Sequence, residues 1–277
     1  MMSVTSTLLL FEKEVRDARK SRWFVLFAAL FAGLALSLSW LGLSGLGTYG
    51  LSGFARTSAS LVNLVVLVVP LMGLLLGALS VAGEREQGTL LTLLYQPVTA
   101  VEILLGKYLG LAAALTATVL VGFGLSGVVI ARHAGTESIG AYLSLVGWTV
   151  LLGLAHLSIG VLISIRARRT VTAVGAAIAL WLGIVFFSDL GLMGTAMVLG
   201  LSPSSLLWLA LANPAQIFRI AVLAALEGNL ESLGPAGLYA RDVFGDRLLP
   251  ALGAWLAAWA VLPLTLGLLL FRRRSAL

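Results

Sequence analysis

The residues best suited to hold a metal ion are three methionines and one histidine. Met193 and Met197 stand four positions apart, which places both thioethers on one face of a helix, and Met72 and His156 lie in other apolar segments. Thioether sulfur and imidazole nitrogen suit Cu(I). Methionines at helical spacing also pack ordinary helix contacts, so no firm metal site is predicted. The chain has no cysteine, which excludes zinc–thiolate sites and a cysteine nucleophile.

A serine–histidine pair is the second candidate chemistry. Ser44 and Ser126 each stand in a Gly-Leu-Ser-Gly sequence, which resembles the Gly-x-Ser-Gly of rhomboid proteases, and His156 could act as the base for Ser126. Serine among small residues is also ordinary material for helix contacts in membranes. A rhomboid-like intramembrane serine protease therefore stays open as one alternative.

Use of a nucleotide would require a phosphate-binding loop, and the sequence has no Gly-x-x-x-x-Gly-Lys-Ser/Thr pattern. The nearest approach, Gly106-Lys107, lacks both the upstream glycine and the following hydroxyl. Because the apolar runs contain almost no ionisable residues, a proton-driven carrier is also disfavoured. We therefore predict no enzyme activity and no cofactor bound by this chain, so an active role must take its energy from a partner.

The composition is that of a membrane protein. Of the 277 residues, 60% are hydrophobic and 11% are charged, with a mean hydropathy of +1.05, whereas soluble domains carry about 25% charged residues. The net charge of +6 comes from basic residues that flank apolar runs, so nucleic acid is not an expected partner. Six runs are long enough to span a bilayer, at 23–43, 58–82, 101–131, 141–165, 171–200 and 248–271.

The distribution of Lys and Arg predicts the orientation. With both termini in the cytoplasm, thirteen of the 18 basic residues lie inside, as the positive-inside rule requires. The expected location is the cytoplasmic membrane of a bacterium or archaeon. The predicted fold is an all-α integral membrane protein with six transmembrane helices. Residues 1–22 are expected to form an N-terminal interfacial (elbow) helix, and 23–277 are expected to form one six-helix membrane domain.

The N-terminal helix is predicted from its amphipathic pattern. Apolar residues recur at helical spacing: Leu8, Phe11, Val15 and Ala18. Charged residues, including Arg16 and Arg19, cover the remaining faces. We expect the apolar stripe and anionic lipid to hold this helix along the inner membrane surface.

A short cytoplasmic insert follows the second span, at 83–98. Three charged residues, Glu84-Arg85-Glu86, end the apolar helix, and Gly88 can terminate it. Thr89 can cap a short helix that carries Leu90 and Leu93, and Pro97 ends that helix. Thr99 and Glu102 then form a capping box at the start of the third span. A plain loop between spans is the alternative interpretation of this insert.

The segment 201–247 is the largest piece outside the spans, and we expect it to be periplasmic and helical in part. Asn213 can cap a helix whose first residue is Pro214. That helix is too short to span, so it is expected to pack on the outer ends of the spans or to re-enter slightly. The residues from 228 to 245 are interpreted as loop.

Taken together, these features resemble the permease subunit of type-2 ABC transporters. The resemblance rests on the basic N-terminal helix before six spans, the Glu-x-Glu-x-Gly-Thr insert with Pro97 and Gly106-Lys107, and Asn213-Pro214 before the last span. Asn213 to Arg219 and the arginines at 272–274 resemble, within that family, the permeases that assist copper-site assembly in nitrous-oxide reductase.

The resemblance implies partners and residue roles. It implies a homodimer, cytoplasmic ABC ATPase subunits that carry ATP and Mg²⁺, membrane lipid and a periplasmic accessory protein. The coupling helix that contacts the ATPase would lie in or beside the residues Glu84, Arg85, Glu86, Gly88, Thr89, Leu90 and Leu93. The periplasmic partner would contact Asn213, Pro214, Gln216 and Arg219. A passive membrane anchor for such partners remains a further alternative.

Overall fold

Long apolar runs separated by short polar breaks fold here into helices, because a helix satisfies all its backbone hydrogen bonds internally. The computed structural model describes residues 4–44, 51–95, 98–134, 139–186, 202–226 and 235–275. The helices in these ranges are α1 (Val4–Lys20), α2 (Arg22–Ser44), α3 (Leu51–Glu86), α4 (Thr89–Leu94), α5 (Ala100–Ala134), α6 (Ile139–Arg166), α7 (Thr170–Phe186), α8 (Pro203–Leu211), α9 (Pro214–Ala225), α10 (Pro235–Phe244) and α11 (Leu248–Ser275). A short 3₁₀ turn, Gly245–Arg247, joins α10 to α11.

Five helices of the described ranges, α2, α3, α5, α6 and α11, are long and apolar enough to cross a membrane. The apolar helix α7 has 17 residues and covers the first part of the predicted fifth span, 171–200. The rest of that span, with Met193 and Met197, lies outside the described residues. The described residues are all-helical, in agreement with the sequence prediction, and five of the six predicted spans correspond to these five helices.

The directions of the helices follow from contacts at two levels of the bundle. Helix α6 runs parallel to α3, because Gly73 meets Gly153 and Val81 meets Ser164. Helix α7 runs antiparallel to α3, since Glu86 bonds to Thr170, whereas Trp181 further along α7 bonds to the Leu67 carbonyl nearer the start of α3.

Helix α11 runs parallel to α6, with Gly253 against Trp148 and Gly267 against Ile165. Helix α7 therefore leads away from the Glu84 end of the bundle, and α11 leads back towards it. The segment between them, which includes α8 and α9, enters and leaves on the same side. The chain turns by 108° between α8 and α9, so this pair is a re-entrant element rather than a further span.

Glycines bring α3 and α6 into backbone contact. A Cβ on Gly77 would lie 2.5 Å from the Leu157 carbonyl oxygen, and one on Gly160 would lie 2.4 Å from the Leu74 carbonyl oxygen. Gly73 and Gly77 stand four residues apart and form the small-residue face that permits such approach in membranes. This contact fixes α3 against α6 near the charged end of α3.

The structure corrects two sequence predictions about local elements. The face of α1 that is buried against the bundle carries Leu10, Glu14 and Ala18, whereas Leu8 is 56% exposed. Of the predicted stripe, Ala18 is buried and Phe11 and Val15 are half-buried, while Glu14, predicted on a charged face, takes an interior position. The loop predicted up to residue 245 is wrong over Pro235–Phe244, which forms helix α10 with Pro235 at its start.

Candidate coupling site

The end of α3, the turn after it and α4 form the candidate site. Gly88 has a φ of +76°, the left-handed conformation that ends helices and that glycine adopts without strain. Gly88 donates its N–H to the Arg85 carbonyl at 3.2 Å, and α4 begins at the next residue. Thr89 is the first residue of α4, and its hydroxyl donates to the Glu84 carbonyl at 3.3 Å, so it binds the end of α3 rather than capping α4.

Glu84 links this site to α5 and α1. Its Oε1 lies 2.7 Å from the Nζ of Lys107 and 2.8 Å from the Nζ of Lys13. The Glu84 side chain is only 16% exposed and that of Lys107 only 2%. Glu84 therefore faces the interior of the protein.

Lys107 also pairs with Glu14 of α1, at 2.6 Å between Nζ and Oε1. Two glycines of α5 allow this approach, because a Cβ on Gly106 would lie 2.6 Å from the Leu10 Cβ and one on Gly110 would lie 2.5 Å from the Glu14 Cβ. The Gly106-Lys107 sequence thus provides space for α1 and a buried cation to hold it.

Lys13 completes the cluster at its more open side. Its Nζ lies 3.6 Å from Glu14 and 3.8 Å from Asp17, besides its contact with Glu84. Partial burial lowers the pKa of Lys13, but the hydrogen bond to Glu84 and the neighbouring carboxylates outweigh it and raise the pKa above its ordinary value. Lys13 is therefore charged at neutral pH and keeps α1 tied to the end of α3.

Arg85 joins the same turn to α6. Its guanidinium donates to the carbonyl of Ala167, and it reaches the carbonyls of Ser164 and Ile165 at 3.5 and 3.4 Å. These carbonyls end α6, where a cation also interacts favourably with the helix dipole. The Ser164 hydroxyl accepts from the N–H of Val81 at 3.0 Å, which adds a second link between the two helix ends.

Glu86 joins the turn to α7. Its Oε2 accepts from the N–H of Thr170 at 2.9 Å, and Thr170 is the first residue of α7. A carboxylate at a helix N-terminus satisfies a free N–H and complements the dipole. Three consecutive residues, Glu84, Arg85 and Glu86, thus fasten the end of α3 to α1 and α5, to α6 and to α7.

Helix α4 presents both a buried and an open side. Leu90 is 6% exposed and packs into the core, and Leu93 packs partly against it. Thr92 is exposed and Tyr95 is 87% exposed. The open side of this segment also includes Glu86, Gly88 and Thr89.

The capping box predicted after the insert is present. Thr99 donates its N–H to Glu102 Oε2 at 2.7 Å, and Glu102 donates its N–H to Thr99 Oγ1 at 3.3 Å. The third span therefore starts at a fixed residue, close to the insert.

The re-entrant element lies on the other side of the bundle and has its own polar supports. Asn213 caps α9, accepting from the Ala215 N–H at 2.9 Å, and its Nδ2 donates to the Ile184 carbonyl of α7 at 3.2 Å. The Leu211 carbonyl accepts from the indole N–H groups of Trp255 at 2.9 Å and Trp259 at 3.2 Å. These bonds satisfy buried backbone groups at the bend.

The four residues predicted to contact a periplasmic partner lie at this element. Pro214 and Gln216 are buried within the chain, whereas Asn213 and Arg219 are half-buried. Contact with a partner stays a prediction, and it would involve Asn213 and Arg219 first.

Of the four weak candidates for metal binding, Met72 and His156 lie among the described residues, whereas Met193 and Met197 do not. Met72 and His156 are both fully buried. The imidazole Nδ1 lies 2.9 Å from the Leu152 carbonyl, so it carries the proton and leaves Nε2 as an acceptor. Among the described residues no group of three or more His, Cys, Asp or Glu could hold a metal ion.

The serine–histidine pair of a protease is not assembled. The Ser126 hydroxyl bonds to the Ser39 hydroxyl, in the part of α5 where Tyr142 donates to the Phe123 carbonyl at 2.6 Å. His156 lies at the other end of the α5–α6 contact, beside Tyr108, which bonds to Leu154 and Ser158. At 1.5 Å per residue this places Ser126 and His156 about 25 Å apart along the bundle. A fluorophosphonate probe is accordingly expected not to label Ser126.

A family model described as "ABC-2 family transporter protein" matches residues 8–276. This is nearly the whole chain. The chain belongs to the ABC-2 transporter family. It is similar to the "Probable ABC transporter permease protein NosY" of Stutzerimonas stutzeri, with 34% identity over 270 residues that cover 95% of this chain and 96% of that protein. The protein of the same description from Pseudomonas aeruginosa (strain PAO1) is also 34% identical over the same shares.

The chain is therefore a multi-pass membrane permease. Members of this family work with an ATPase. The sequence predicted that α3 ends at its three charged residues and that Gly88 follows as a helix terminator, as the structure has it, but it missed Lys107, Lys13 and Glu14 as partners of Glu84. The available signal was the set of ionisable residues beside apolar helices, which are costly to bury unless they pair.

Proposed function

We propose that the chain is the permease subunit of an ATP-driven transporter and that α4, with the turn before it, binds the partner ATPase. The observation that carries this proposal is the set of links from Glu84, Arg85 and Glu86 to four other helices. A partner that moved α4 would move those helices as well. The fully buried Lys107 makes the link to α5 especially rigid, because separating it from both carboxylates would leave buried charges unpaired.

In this proposal ATP and Mg²⁺ bind to the ATPase, and this chain binds neither. Both termini and α4 lie on the cytoplasmic side, which the excess of basic residues at that side supports. Two permease copies would enclose the transport path, and a periplasmic accessory protein would meet the re-entrant element. The similarity to NosY proteins and the sequence resemblance support a role in copper-enzyme maturation, with nitrous-oxide reductase as the target enzyme.

The orientation can be tested on the whole chain because it has no native cysteine. Single cysteines replace Thr92 and Arg247, which are both exposed. A membrane-impermeant maleimide added to intact spheroplasts should label Arg247→Cys, whereas it should label Thr92→Cys only after the membrane is opened. Labelling of Thr92→Cys in intact spheroplasts would overturn the cytoplasmic placement of α4.

The ATPase contact can be tested by co-purification from cells that express both subunits. Glu86→Lys and Thr92→Lys place charge on the open side of the site, and Asp242→Lys makes a matched exposed change on α10. We expect about tenfold less ATPase to co-purify with each of the first two variants, because loss of a central interface contact has an effect of this size. Equal retention by all three variants would count against α4 as the contact.

A passive anchor is the second candidate function, because it would use the same ATPase-binding segment. Proteoliposomes that contain both subunits separate the two functions. A permease gives an ATP-dependent change in the transported species or in the periplasmic partner, whereas an anchor binds the ATPase and gives none.

A further inference from the structure

Helix α1 is divided into a face that holds the coupling site and a basic face that is open. Leu10, Glu14 and Ala18 are buried against the bundle. Arg16, Arg19 and Lys20 of α1 are all exposed, as is Arg22, the first residue of α2, and the four fall within seven positions of the chain. The apolar window of the first span begins just afterwards, at Phe24.

We infer that Arg16, Arg19, Lys20 and Arg22 bind the headgroups of anionic phospholipids, and that lipid bound there controls the coupling site through α1. The regulatory half of this inference rests on the proposed function. The name "basic patch" is used below for these four residues.

Charge and position both favour an anionic lipid as the occupant. Clusters of four or more Lys and Arg beside a membrane span attract anionic headgroups with about 1 kcal/mol for each residue. The exposed acidic neighbours are Glu12 and Asp17, and Asp17 lies 3.8 Å from the ammonium of Lys13. The patch therefore keeps a net positive charge. Leu8 and Leu9 at the start of α1 are 56% and 64% exposed, which adds apolar surface for acyl chains.

The same helix turn connects the basic patch to the coupling site. Lys13 and Glu14 stand within three residues of Arg16, and they contact Glu84 at 2.8 Å and Lys107 at 2.6 Å respectively. A lipid that holds α1 in place also holds the partners of Glu84. Anionic lipid should therefore strengthen the link between the ATPase-binding turn and the spans.

Lipid binding is measured first, on the purified full-length permease without ATPase, so that it does not depend on the proposed function. Labelled phosphatidylglycerol is titrated into nanodiscs of phosphatidylcholine that carry the wild type, Arg16→Gln, Arg19→Gln or the control Arg247→Gln. We expect each of the first two variants to weaken phosphatidylglycerol binding about fivefold, while the control leaves it unchanged. Glu12→Gln should strengthen binding, because it removes a repelling charge without touching a basic residue.

The regulatory half is measured on the assembled complex. The ATP hydrolysis rate should rise when phosphatidylglycerol is added to phosphatidylcholine, and Arg16→Gln/Arg19→Gln should remove most of that rise. Unchanged lipid binding in both variants overturns the site. Unchanged lipid binding combined with loss of co-purified ATPase also overturns it and identifies the basic patch as a protein contact. If the variants bind phosphatidylglycerol more weakly as expected, but added phosphatidylglycerol does not change the ATP hydrolysis rate of the wild-type complex, only the regulatory half is overturned.

Discussion

The ammonium of Lys107 lies 2.7 Å from a carboxylate oxygen of Glu84 and 2.6 Å from one of Glu14. Glu14 stands 93 residues away in the chain. One buried cation thus joins three helices, α5, α3 and α1, at the point where the segment that we propose as the ATPase contact begins.

Replacing Lys107 by Met should strongly destabilise the protein. Glu14 would lose its close partner at 2.6 Å and keep only the Lys13 ammonium at 3.6 Å, and breaking a buried pair costs about 3–5 kcal/mol. We expect a clearly lower thermal unfolding temperature in detergent. The control is Lys13→Met, since Lys13 is 41% exposed and an exposed pair contributes about 1 kcal/mol or less.

The double variant Lys107→Met/Glu14→Met tests the physical reason. It removes both members of the pair and fills the space with apolar atoms, so it should recover much of the lost stability. Glu14→Met is also made alone in the wild type. If it lowers stability by the same amount there as in the Lys107→Met variant, the two residues do not interact as described.

Elements that depend on local sequence could be predicted well. The apolar runs predicted the spans, and capping residues predicted the starts of two helices. Thr99 bonds with Glu102 at the start of α5, and Asn213 accepts from the Ala215 N–H at the start of α9. These features involve residues within a few positions of each other, so the chemistry of one segment decides them.

Features that depend on distant segments could not be predicted. Glu14 looked like part of a solvated face because nothing nearby in the sequence reveals Lys107 as its partner. Nothing near Arg85 and Glu86 in the sequence reveals that they bond to the end of α6 and to the start of α7. A sequence pattern gives the faces of each helix, whereas the tertiary contacts decide which face is buried.

The contact between α3 and α6 should not tolerate a side chain at Gly77. A Cβ there would lie 2.5 Å from the Leu157 carbonyl oxygen and 2.6 Å from the Val161 amide nitrogen. Because backbone atoms cannot move aside as a side chain can, Gly77→Val should cost at least about 1–3 kcal/mol and lower the unfolding temperature. Gly147→Val is the matched control, since a Cβ at Gly147 has no atom within 4 Å. Similar losses in both variants would mean that β-branching, and not helix contact, sets the effect.

The turn at Gly88 should be essential for the position of α4. Its φ of +76° costs about 1–2 kcal/mol for a residue with a Cβ. In Gly88→Ala we expect faster hydrogen exchange over 89–94 and weaker ATPase retention. Gly83→Ala is the control, because a Cβ there also meets nothing within 4 Å and Gly83 is not among the positive-φ glycines. Equal exchange in the two variants would show that α4 does not depend on this conformation.

The bend between α8 and α9 should depend on Trp255 and Trp259 together. Both indole N–H groups donate to the Leu211 carbonyl, at 2.9 and 3.2 Å, so either one alone can satisfy that oxygen. Each single Trp→Phe variant should therefore change stability little, whereas Trp255→Phe/Trp259→Phe leaves a carbonyl unpaired at a buried break and should cost about 1–3 kcal/mol.

Thermal unfolding of the three variants measures the effect, and hydrogen exchange at residues 212–216 locates it. We expect the double variant to lose more stability than the two single variants lose together. Additive losses with unchanged exchange at the bend would mean that the two tryptophans act only through the packing of their rings.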